Sequence, residues 1–428
     1  MNDPGPARSK APLYGLMAAT IVGLVGRQLS VVALPWFVLT TTGSASKAGL
    51  VGFAVFLPGL IVGVLGGVLV DRFGDKFVSA GADVVCAVAT LLIPLLYSTV
   101  GLEFWQLLVL VFFSSLLDVP ALTARRAMIP DLASLAGISL DRVNALFESL
   151  NNLAMLIGTP IAGLLVAWLG ARDVLWLDAG ASALAALIVL TMVPASVFAK
   201  TSFASSGYLA DMMAGFRFIR RDPVLWPMAI FLAISNAITV SMAGVILPVY
   251  VRDTFGSAAS LGVMLAAAGA GAVLGSGLYG MFSNRVSRRL LWYAMHLVVP
   301  LEFGIFLTSP AVTAIVIVFF FVGFLSGPAN PIMVTIRHER SPAAIRGRVF
   351  STYSAIAMAA QPLGILVAGY MIEGLGFDVT ILALAVAGQL LGFVALFVPG
   401  FRELDRRPAS GTDVPSTATA GSAPRAPR

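Results

Sequence analysis

Six charged side chains stand inside long apolar runs of this sequence: Arg27, Asp83, Asp118, Glu148, Asp178 and Glu302. In hydrocarbon a charge costs at least about 2.5–3.5 kcal/mol on insertion scales, so each needs a partner or a task. A guanidinium at mid-depth can meet a polar group of a passing molecule or an acid that gains and loses protons. It can equally fix one helix to another. For Arg27, near the middle of the first run, both readings stand: contact with substrate or a coupling acid across a cavity, or a buried ion pair. Asp118 lies about two turns from the end of the fourth run. Glu148, two turns into the fifth, can join a charge cluster or titrate alone. Asp83 and Asp178 lie nearer the ends of their runs, where capping or local pairing is the expected role. Glu302 is the one acid deep in the second half of the chain and is a secondary candidate for protonation. His296, six residues earlier, points to roughly the opposite helix face and reads as a satisfied core residue.

These groups do not make an enzyme. No His/Cys/Glu cluster has metal-ligand spacing, the two histidines, His296 and His338, fall on different elements, and no nucleophile stands beside a base. GAGAVLG at 269–275 lacks the G-x-G-x-x-G spacing of a nucleotide loop and lies within an apolar run, so it reads as a packing surface. We expect no cofactor, no metal and no catalytic residue. The single cysteine, Cys86, permits no intrachain disulfide and reads as a small buried hydrophobe.

The elements that must position the charges are membrane helices. The 428 residues are 58% hydrophobic and 11% charged, with a mean hydropathy of +0.94. The apolar runs are roughly 20 residues long, the length needed to cross about 30 Å of hydrocarbon as a helix. Strands of a barrel would alternate with period two over about ten residues. The expected fold is an all-α polytopic membrane protein with twelve transmembrane helices, at 12–40, 47–70, 78–99, 103–125, 141–168, 172–195, 223–251, 257–282, 289–309, 311–335, 348–373 and 377–398. The first run is too long for the apolar core of a removable signal.

Lys and Arg fall overwhelmingly on one side of this layout, with only Lys47, Arg172 and Arg252 on the other. The richer side is expected to be cytoplasmic, with both termini there. This asymmetry accounts for the net charge of +6 and removes the need for nucleic acid as a partner. Residues 1–11 form an N-terminal segment, 12–195 and 223–398 two six-helix bundles, and 399–428 a tail rich in Ala, Pro, Ser, Thr and Gly, expected to be disordered. Between the bundles, 196–222 carries Leu209, Met212, Met213, Phe216 and Ile219 at helical spacing, followed by arginines. That pattern suits an amphipathic helix on the membrane surface.

The second run ends in GGVLVDRFGDK (66–76), four charges among glycines. Shifted by 213 residues, Gly67, Asp71, Arg72, Gly74 and Lys76 fall on Gly280, Asn284, Arg285, Ser287 and Arg289. The helices leading into both stretches carry small residues every four positions, which allows close backbone contact. The halves therefore read as an internal repeat, as in many transporters.

G-x-x-x-D-R-x-G between the second and third spans of a twelve-span, two-bundle chain resembles the signature loop of the major facilitator superfamily; Asp75 departs from its usual basic residue. TARRAMIPDL (123–132), NALFESLNNLAMLIGTPIAGLL (144–165) and RGRVFSTYSAIAMAAQPLGILVAG (346–369) resemble the branch holding macrolide-efflux proteins, the enterobactin exporter and lysophospholipid transporters. The resemblance implies two pseudo-symmetric bundles and alternating access. It also implies a cytoplasmic gate in which Arg72 reaches Asp118 and Asp71 faces the start of the eleventh span. Gly67, Gly74, Lys76 and the degenerate copy Gly280, Arg285 and Arg289 complete that gate. Polar residues at mid-depth, Gln28, Ser30, Trp36, Asn151, Asn152, Asn236 and Thr239, are expected with Arg27, Glu148 and Glu302 around a substrate or proton site. The expected function is export of a small amphiphilic compound by a monomer in the plasma membrane, exchanged for protons. Uptake or flipping of a lysophospholipid or another metabolite is the alternative, and a non-transporting membrane receptor or assembly factor is the rival of another class.

Overall fold

The computed structural model describes residues 9–194 and 208–405, and the side chains of 62–73, 155 and 208–211 stand outside that description. The expected disordered tail beyond residue 405 and the first part of the 196–222 linker lie outside the described residues.

The chain forms α1 (Ala11–Thr42), α2 (Ala45–Phe73), α3 (Asp75–Thr99), α4 (Phe104–Leu116), α5 (Asp118–Ala136), α6 (Leu140–Leu169) and α7 (Ala171–Met192). A helix in the linker, α8 (Tyr208–Arg221), leads to α9 (Leu225–Ser241), α10 (Leu247–Thr254), α11 (Ala258–Phe282), α12 (Arg288–Val298) and α13 (Glu302–Ile305). The last are α14 (Val312–Ser326), α15 (Ala329–Arg340), α16 (Arg346–Met358), α17 (Gln361–Leu375) and α18 (Phe377–Phe397). Among the described residues, eleven helical segments are long and apolar enough to cross a membrane, and Ala45–Ile61 of α2 is a shorter apolar one. These match the twelve expected runs.

Several spans are broken rather than continuous. Pro120 cannot donate to a carbonyl one turn back, so the fourth span breaks at Leu117 between α4 and α5. Pro300, Pro328 and Pro362 mark the interruptions of the ninth, tenth and eleventh spans. The seventh passes through a π-helical turn, Met242–Ile246, between α9 and α10. Gly170 and Gly376, at φ +87° each, reverse the chain between α6 and α7 and between α17 and α18. Only glycine adopts that conformation without strain, and its recurrence at matching places makes the two halves look alike.

Packing differs between the two faces of the bundle. On the side of the short hairpins, one continuous core joins both halves: Val32, Trp36 and Val51 pack with Val245, Leu261 and Ile365. On the side of the linker there are two separate cores. One is built from Leu16, Met128 and Phe147, the other from Ile219, Trp292 and Phe401. In α8, the face bearing Ile219 is buried. Gly215 lies against Thr352 and Arg348 of α16, so this face docks on the second half.

Candidate functional site

Between the halves, at mid-depth, lies a cavity of about 260 Å³. Its walls come mainly from α1, α2, α3, α5 and α7. Val240, Ala243, Gly244 and Ile365 close it from the second half. Towards the hairpins it is sealed, because Val32 to Leu39 of α1 are nearly all buried and a Cβ on Gly52 would collide with Ile365.

Three carboxyls and two guanidiniums line this cavity. Arg27 pairs with Asp118 at 2.8 Å, with 49% of the arginine side chain exposed. Asp118 opens α5 just past the break at Leu117, where unpaired helix N–H groups favour an anion. Deeper in the wall, Arg125 Nη2 donates to Asp83 at 2.5 Å and its Nε to Ser79 Oγ at 3.2 Å. Asp178 accepts a hydrogen bond from Ser30. Gly26 leaves the space for this, since a Cβ there would sit 2.7 Å from Asp178 Oδ1. Each guanidinium thus has a carboxylate, and the third carboxyl has a hydroxyl. Ser182 donates weakly to the Cys86 sulfur at 3.6 Å, beside the same cavity.

The expected site residues divide sharply. Arg27 and Asp118 meet in the cavity. Ser30 lines it as well, and the other polar candidates lie outside its lining. Gln28 turns to α6 and donates to Thr159 at 3.4 Å, while Asn236 joins α9 to the Ala357 carbonyl at 2.9 Å. Glu148 pairs with Arg126 at 2.8 Å on an exposed surface. Asn151 is half-buried and Asn152 exposed on α6, and Glu302 is buried in α13. A helical residue's face cannot be read from its depth, which is why these expectations missed the cavity.

Two findings go further than the expectations. Asp83 and Asp178, expected to cap or to pair locally, do pair, with Arg125 and Ser30, and they face the cavity from inside their helices. Arg125, counted only as a loop charge, is 5% exposed within α5.

In the gate motif, the side chains of Gly67, Asp71 and Arg72 lie outside the described residues. Asp118, expected with Arg72, is held by Arg27. Gly74 starts α3 at φ +82°, and Lys76 donates to the Leu190 carbonyl at 2.8 Å within the first half. In the copy, Gly280 and Arg285 are exposed and Arg289 lies over the Tyr293 ring. The residue that forms a bidentate pair is the neighbouring Arg288, with Glu339 at 2.7 and 2.9 Å.

Two helical halves around a charged central cavity define a polytopic membrane carrier. The sequence matches the family model described as Major Facilitator Superfamily over residues 16–295 and 229–427, and the chain belongs to that superfamily. It is 32% identical over 401 residues to the "Multidrug efflux pump Tap" of Mycolicibacterium fortuitum, covering 92% of this chain and 98% of that one. It is 22% identical over 408 residues to "Macrolide efflux protein A" of Streptococcus pyogenes, covering 92% and 97%. Among solved structures, the nucleoside transporter NupG superposes with a TM-score of 0.77 at 15% identity, over 90% of this chain and 98% of that one, and shares the fold. The chain is therefore a transporter related to multidrug efflux pumps, and not an enzyme.

Proposed function

We propose that this protein exports an amphiphilic compound by alternating access in exchange for protons, with Arg27 and Asp118 as the coupling pair. The observation that carries this is a half-exposed guanidinium bound to a carboxylate at mid-depth, in a cavity sealed on one side. A proton passing from water to Asp118 removes the charge that holds Arg27, and its release restores the pair. The two protonation states thus differ in how α1 is tied to α5, which biases how the halves can pack. The formal excess of one carboxyl over the guanidiniums, set among apolar side chains, suits a substrate with an apolar body and a cationic or hydrogen-donating group. The similarity to efflux proteins supports the outward direction.

In this reading the units that move are the bundles 12–195 and 223–398 of a monomer, joined by 196–222. The Lys/Arg excess makes the linker side, with both termini, cytoplasmic. The test is a panel of cationic, neutral and anionic amphiphiles offered to purified protein in liposomes, with and without an imposed pH gradient. Gradient-dependent accumulation of cationic members is the expected result. Equal accumulation without the gradient removes proton exchange, and preference for anionic members removes the substrate class.

A further inference from the structure

Two of the three basic residues on the charge-poor side, Lys47 and Arg252, lie at a single place: the turn between α1 and α2. Arg252 also pairs with its neighbour Asp253 through Nε at 2.6 Å, as the third, Arg172, does with Asp173 at 2.7 Å. Arg252 belongs to the second half, at the end of α10, yet its Nη1 reaches the Leu39 and Gly43 carbonyls of the first half, at 3.1 and 3.3 Å. These are among the last carbonyls of α1, which carry the negative end of that helix. Gly43 closes the helix in the left-handed conformation, φ +69°, its N–H returning to Leu39.

One to three residues past Gly43, the charges reverse. Glu373, in the last turn of α17, accepts at one oxygen from Ser44 Oγ at 2.6 Å and from the Ser46 backbone N–H at 2.9 Å. Ser44 Oγ in turn accepts from the Lys47 backbone N–H at 3.2 Å. The first N–H groups of α2 have no partner within their own helix, and a carboxylate is the group that suits them. The second half therefore holds one hairpin of the first half by a cation at one helix end and an anion at the adjacent helix start.

Below this hairpin lies a seam of close backbone contact. A Cβ added to Gly49 would stand 3.0 Å from the Ile365 carbonyl and 3.2 Å from the Gly369 Cα. The seam can part only if the polar bonds above it part too. Those bonds are exposed or only part-buried, so water can replace them as they separate.

We propose that Arg252 and Glu373 form the hairpin-side gate, holding that side shut while the linker side is split and letting go when the hairpin side opens. This rests on alternating access but not on the substrate or the coupling ion. The test uses spin-label distances in a Cys86→Ser background. One pair of labels is placed at the exposed Thr42 and Leu375, across the gate, and a second at the exposed Ser139 and Met281, on the linker side. The double variant Arg252→Ala with Glu373→Ala is expected to raise the open-to-closed ratio at the hairpin pair by roughly fivefold. Linker-side distances should shorten in the same sample, because one side closes as the other opens. If the double variant loses its helical fold by circular dichroism, Glu373→Gln and Arg252→Lys carry the same test with a smaller shift in the same direction. A hairpin-pair distribution that stays at the parent's in folded protein overturns the proposal, as does a shift there with no reciprocal change on the linker side. Because the readout is distance rather than transport, a wrong substrate class leaves the result interpretable.

Discussion

The two halves of this molecule share a register and differ in chemistry. Shifted by 213 residues, Leu34-Pro35 falls on Leu247-Pro248, Arg27 on Val240, Ser30 on Ala243 and Asp83 on His296. A shift of 212 lays TARRAMIP (123–130) on TIRHERSP (335–342), Arg125 on Arg337 and Asp118 on Asn330. Val240 and Ala243 face the same cavity as Arg27 and Ser30. His296 bonds to the carbonyl of Trp292 on its own helix at 2.8 Å. Among the described residues, Arg337 has no carboxylate beside it in the way Arg125 has Asp83; it lies over the rings of Phe350 and Tyr353, 4.6 and 4.8 Å from their centres. A repeated fold thus carries its intramembrane charge pairs in one half and offers an apolar wall from the other.

Apart from the Arg252–Asp253 pair on the hairpin side, the described ion pairs of the second half lie at the linker edge. Arg340 meets Asp222 at 3.1 Å and Glu403 at 3.3 Å, tying the linker, the end of α15 and the segment after α18 together. These pairs brace one bundle, whereas the Arg27–Asp118 pair is the one proposed to break and re-form during a cycle. The difference teaches that pseudo-symmetry fixes the path of the helices but not the division of labour.

The contrast can be broken most forcefully at Asp83. Asp83→Ala strands a buried Arg125, and breaking a buried pair in this way costs about 3–5 kcal/mol. It should appear as a large drop in the thermal unfolding temperature of purified protein. A smaller effect is expected at Asn236, where Asn236→Ala removes a neutral helix-to-helix hydrogen bond worth about 1 kcal/mol. Unfolding should shift slightly while transport persists, which would separate a structural amide from a cavity residue. The smallest effect belongs to Glu302. Glu302→Gln should leave gradient-driven transport in place, and loss of coupling there would move the proton chemistry into the second half.

The helices were legible because apolar runs of spanning length leave few other folds, and the twofold repeat was legible in the copied loop at 67–76 and 280–289. The partners of the charges were not. The fourth span was expected to end at residue 125, but α5 continues to Ala136, which carries Arg125 inside the bundle beside Asp83. The tenth was expected to end at 335, while α15 runs to Arg340 and buries Arg337. Run length marks where hydrophobicity stops, not where the helix does. Gln28 and Asn236 had the right depth and the wrong face, since each could be satisfied by a neighbouring helix. One signal was available: the match of TARRAMIP to TIRHERSP places both buried arginines at the same point of the repeat.

The central claim is that proton coupling resides in the first-half cavity at the Arg27–Asp118 pair. It is tested most directly by Asp118→Asn in liposomes, comparing accumulation driven by a pH gradient with exchange of labelled for unlabelled substrate at equal pH. The account predicts that gradient-driven accumulation disappears while exchange continues, because Asn keeps the shape at that position and removes the titrating group. Accumulation that still follows the gradient in this variant would contradict it.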